Sequence, residues 1–93
     1  MIQIEKKNQN EFIVLVQEKE SQSRYLVTLD DDYHQLLTQG KVTKEDLVRK
    51  SFQFLLQREG KESILRSFDL RVIKRYFPEY EDEMRGGTAL SGG

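Results

Sequence analysis

The sequence predicts an α+β fold: a three-stranded antiparallel β-meander followed by three or four helices packed mainly on one face. Three observations carry this expectation. Up to Leu29, three β-rich runs are separated by short stretches of turn chemistry. Helix-start signals then appear at Asp30–Asp32 and at Thr43. From Tyr33 to Phe77 the apolar residues recur at helical spacing.

The elements follow in order. Ile2 and Ile4 alternate with Gln3 and Glu5, the period of a strand with one wet face. Asn8-Gln9-Asn10 is a turn. Phe12-Ile13-Val14-Leu15-Val16 is apolar without a break, which predicts a central strand covered on both faces. Lys19 to Gln22 turns the chain into Tyr25-Leu26-Val27-Thr28-Leu29. Loops this short make neighbouring strands antiparallel.

Asp30 to Asp32 precede Tyr33, Leu36 and Leu37, an N-cap signal with negative charge at the positive helix end. Gly40 stops this short helix. Thr43 with Asp46 opens the main helix, expected over 44–58 and ended by Gly60. Ile64, Leu65 and Phe68 suggest one further helical turn. Asp69 caps a last expected helix running to Phe77, which Pro78 closes because the residue before proline avoids the helical region. Residues 1–85 therefore form one domain, and 86–93, rich in glycine, read as a flexible tail.

Composition narrows the function. The chain has 93 residues and no cysteine, so thiol nucleophiles, disulfides and Cys-based zinc sites are excluded. No apolar run approaches the ~20 residues of a membrane span, and the first residues lack a signal-peptide core, so the expected location is the cytoplasm. The net charge of −1 is unevenly distributed: residues 1–40 carry net −3, 41–75 net +5 and 76–93 net −3. The basic middle is interspersed with acids, the pattern of a solvated helix face and only sometimes of a nucleic-acid footprint.

Candidate chemistry is sparse. His34 is the sole histidine, and triads or two-histidine metal sites need more partners. The Asp30–Asp32 run fails the calcium-loop spacing, with Gln35 where glycine and Lys41 where glutamate would stand. Glu79, Glu81, Asp82 and Glu83 follow Pro78 in a polar stretch and read as solvated, which leaves them without the burial that acid catalysis needs. Ser21, Ser51, Ser63 and Ser67 lack a nucleophile-elbow motif, and no glycine-rich phosphate loop is present. The expectation is a non-enzymatic protein without metal or cofactor.

The main helix carries an apolar arc of about 200°, roughly twice what one sheet face requires. Either the C-terminal helix or another chain must supply the second surface. The interface expectation falls on Phe12, Val14, Val16, Leu47, Phe54, Tyr76 and Phe77, with a homodimer or another protein as partner, and nucleic acid less favoured.

Three resemblances accompany these readings. Leu47 to Leu56, Glu62-Ser63-Ile64-Leu65, Phe68-Asp69-Leu70 and Tyr76-Phe77-Pro78-Glu79-Tyr80 resemble a family of short bacterial proteins, which implies a shared fold and brings no activity. Arg24 to Leu29, then Asp30 to Gln39, then Thr43 to Leu56 resemble the strand-helix-helix order of ribbon-helix-helix repressors. That second resemblance implies a dimeric DNA-binding regulator, although Leu26 is apolar where base readers are polar. The terminal Gly92-Gly93 is similar to the end of ubiquitin-like carriers, but those folds add strands after the main helix, where this chain reads helical.

Overall fold

The computed structural model describes residues 1–86; the expected tail beyond Gly86 lies outside them. Three antiparallel strands come first: β1 (Ile2–Lys6), β2 (Glu11–Glu18) and β3 (Ser21–Thr28). Asn8 makes the first turn, its side-chain oxygen accepting from the amides of Asn10 and Glu11 at 3.0 and 2.9 Å. The second is a two-residue loop in which Lys19 takes φ 52, the left-handed conformation that tight hairpins require.

The expected meander is present, but the sheet has a fourth strand. β4 (Ser67–Asp69) pairs in parallel with the end of β3, giving the order β1-β2-β3-β4. The helical turn expected at Ile64–Phe68 is therefore corrected to a 3-10 turn at Lys61–Ser63 followed by this strand. Phe68 between Ser67 and Asp69 has the alternation of a strand, and it sits opposite Val27 on the buried face. A parallel partner needs a long crossover, which the two intervening helices supply.

Those helices are α1 (Asp31–Thr38) and α2 (Lys44–Leu56). Both caps are as the sequence suggests: Asp30 accepts from the Tyr33 amide at 2.9 Å and Thr43 from the Asp46 amide at 3.0 Å. Gln39 and Gly40, both at positive φ, close α1. α2 ends two residues earlier than expected. After β4, a 3-10 turn (Leu70–Val72), capped by Asp69, runs into the short helix α3 (Ile73–Tyr76).

The acidic stretch after Pro78 is not a solvated coil. It forms α4 (Tyr80–Met84), which buries Tyr80 and Met84, one helical turn apart, against α2. There the Ser51 hydroxyl donates to the Leu47 carbonyl at 2.8 Å and meets the Tyr80 hydroxyl at 2.6 Å. Phe54 packs edge-on to Phe77 and Tyr80 under the guanidinium of Arg58, 3.6 Å from its ring centre. The broad apolar arc of α2 thus meets the sheet on one side and α3–α4 on the other.

β2 alternates strictly. Phe12, Val14 and Val16 are buried beneath the helices, whereas Ile13 and Leu15 are half-buried on the opposite face. The continuous apolar run therefore lies in a sheet layered with helices on one face, not on both.

Candidate interaction surface

The C-terminal half of the chain builds a groove of about 400 Å³. Its floor is Leu55 from α2, Ile64 from the loop before β4, and Ile73 from α3, all buried. Phe68, Val72 and Phe77 form half-buried walls. Its rim carries two exposed apolar side chains: Leu65 is 51% exposed and Tyr76 66% exposed. The polar groups of the lining are the Glu59 carboxylate and the hydroxyls of Ser63 and Tyr76. Glu59 is half-buried and has no ion-pair partner among the described residues.

Of the seven residues expected at an interface, Tyr76 and Phe77 line this groove. Phe12, Val14, Val16, Leu47 and Phe54 are at most 3% exposed, covered by elements of the same chain. Of the two sources for the second surface of α2, the C-terminal segment is the one present here. Leu65 and Glu59, which the sequence reading left out of the interface, are brought to the groove by the turn after α2 and the loop before β4. In the sequence Leu65 reads as part of a helical turn with Ile64 and Phe68, so nothing local marked it as a rim residue.

A second cluster lies at the carboxyl ends of β3 and β4. Arg71 bonds Asp30 at 3.0 Å and Asp69 at 3.4 Å, and Thr28 donates to Asp69 at 2.6 Å. The Arg71 guanidinium stands 4.6 Å from the centre of the Tyr33 ring, whose hydroxyl donates to Glu81 at 2.7 Å; Lys74 also reaches Glu81, at 3.3 Å. The hydrogen bond from Arg71, then that from the Tyr33 amide, hold the Asp30 carboxyl below its ordinary range. The Tyr33 hydroxyl, and secondarily Lys74, do the same for Glu81. Burial, reinforced by Glu81, raises the Tyr33 phenol. Each of these groups is satisfied by another in the cluster, so its chemistry is that of a clamp joining β3, β4, α1, α3 and α4.

The charge segregation along the sequence is partly cancelled in space, through four basic residues of the middle segment. Lys44 pairs with Asp31 at 2.6 Å, Arg58 with Glu79 at 3.1 Å, and Arg71 and Lys74 with the acids just named. Basic residues of the middle segment thus meet acids mostly drawn from its two flanks. Arg49 is used differently, donating to the Ile2 carbonyl at 2.6 Å on the free edge of β1.

β3 is paired with β2 along its length and with β4 at its end. A ribbon-helix-helix dimer instead pairs two copies of that strand with each other. His34 is half-buried, its Nε2 bonded to the Val42 carbonyl at 2.6 Å. Among the described residues no group of three or more His, Asp or Glu is placed to hold a metal ion. Among them no helix is long and apolar enough to cross a membrane.

No protein-family model matches the chain, and neither a curated protein nor a solved structure gives a significant match.

Proposed function

We propose that this domain is a non-enzymatic, cytoplasmic interaction module that works as a homodimer, joined through the groove between the end of α2 and α3. One observation supports the reading above the rest: an apolar concavity of about 400 Å³ carries a largely exposed aromatic residue, Tyr76, on its own rim. Exposed tyrosine beside an apolar recess is the composition of an interface anchor, because its ring supplies apolar area at low conformational cost while its hydroxyl tolerates water. The lining has one carboxylate, Glu59, and two hydroxyls, those of Ser63 and Tyr76, enough to orient a side chain but thin for a polar substrate.

Analytical ultracentrifugation tests this reading. Between about 1 μM and about 1 mM the sedimenting mass should rise from 11.0 kDa toward twice that value. A mass that stays at 11.0 kDa throughout would overturn the homodimer.

A further inference from the structure

We infer that the dimer is reciprocal at the level of side chains: each copy seats Tyr76 in the groove of the other and sets Arg75 against the second copy's Glu59. This rests on the homodimer reading above and adds its register. The groove offers apolar walls with one unpaired carboxylate, Glu59. The complementary surface is an aromatic side chain next to a cation. α3 presents that combination at consecutive positions, since Arg75 and Tyr76 are both exposed. Arg75, like Glu59, has no ion pair among the described residues, so the two do not satisfy each other within one copy.

Knob and recess lie side by side on one surface. A twofold axis through the Tyr76 side of the rim carries each tyrosine over the other copy's groove and repeats the contact twice, the property of an isologous interface. The charged pair lies where a half-buried carboxylate meets an exposed guanidinium, so it fixes register and orientation more than it adds affinity. Tyr76 is the anchor, with Leu65 closing the groove beside it.

The test is a charge exchange followed by sedimentation at matched concentration. Glu59→Arg and Arg75→Glu each place like charges together twice in a homodimer, and each should weaken association at least tenfold. Mixing the two variant chains restores an opposite pair at both positions, so the mixture should dimerise where neither variant does alone. Tyr76→Ala should weaken the dimer more than either charge variant. At a concentration low enough to keep the native protein monomeric, melting curves of all three should match it, because these side chains are partly or largely exposed. If the native protein dimerises but the charge variants dimerise equally well, or the mixture does not recover, this register is wrong while the homodimer stands. If the native protein stays monomeric at about 1 mM, the homodimer reading fails and the register with it.

Discussion

The hydroxyl of Tyr33 donates to the carboxylate of Glu81 across 2.7 Å, fastening the first helix to the last. The bond is charge-assisted, and the Glu81 side chain is only 21% exposed, so it is worth more than a surface contact. Because this bond and Lys74 lower the Glu81 pKa in the folded state, the carboxylate stabilises the fold above its ordinary titration range. That contribution disappears as pH falls through the ordinary range toward the lowered value. Glu81→Gln should cost about 1–2 kcal/mol at pH 7, and the difference from the native protein should shrink toward pH 3. Urea unfolding at several pH values checks it; a difference independent of pH would contradict the assignment.

The Ser51–Tyr80 bond makes a separate prediction. Ser51 is fully buried and its hydroxyl already donates to Leu47, so it accepts from Tyr80. Ser51→Ala leaves the Tyr80 hydroxyl buried without a partner and should cost about 1–3 kcal/mol. Adding Tyr80→Phe removes the orphaned group, so the double variant should be no less stable than Ser51→Ala. Thermal unfolding of the four proteins gives the coupling energy, and additive losses would show that the bond contributes nothing.

The sequence made legible what depends on local periodicity and capping. The three antiparallel strands, the Asp30 and Thr43 caps and the core face of α2 are all in the structure. Features set by distant partners were hidden. A run of five apolar residues does not say which parity faces the core, so Ile13 and Leu15 could not be separated from Phe12, Val14 and Val16. β4 is three residues long, too short for a period to show, and exists because β3 has a free edge beside it. α4 was obscured by its acids, although Tyr80 and Met84 carried the four-residue spacing of a buried stripe. The groove was half legible: Tyr76 and Phe77 stood out as apolar residues, but the side chains that meet them depend on tertiary folding.

Phe54 reports on the core and not on association. Its ring is 3% exposed, enclosed by Phe77, Tyr80 and the Arg58 guanidinium. Phe54→Ala should cost about 3–5 kcal/mol, a large fraction of the stability of a domain this size. Phe54→Asp should leave the chain largely unfolded, since an unpaired buried charge costs several kcal/mol more. Circular dichroism checks both. A folded Phe54→Asp protein with only weakened self-association would mean that this side chain faces a partner.

Nucleic-acid binding is expected to be absent at moderate salt. A nucleic-acid footprint requires cations free to displace counterions from phosphate, and affinity then falls steeply as salt rises. Here Lys44, Arg58, Arg71 and Lys74 lie against carboxylates, and Arg49 is occupied by the β1 edge. The strand that a ribbon-helix-helix repressor would insert is flanked by β2 and β4. Fluorescence anisotropy with a labelled duplex, titrated from about 50 mM to about 200 mM salt, should therefore show no salt-dependent saturable binding at micromolar protein. Binding that weakens by orders of magnitude over that range would restore the regulator reading. It would also direct attention to Lys6, Lys7, Lys41 and Lys50, which have no ion pair among the described residues.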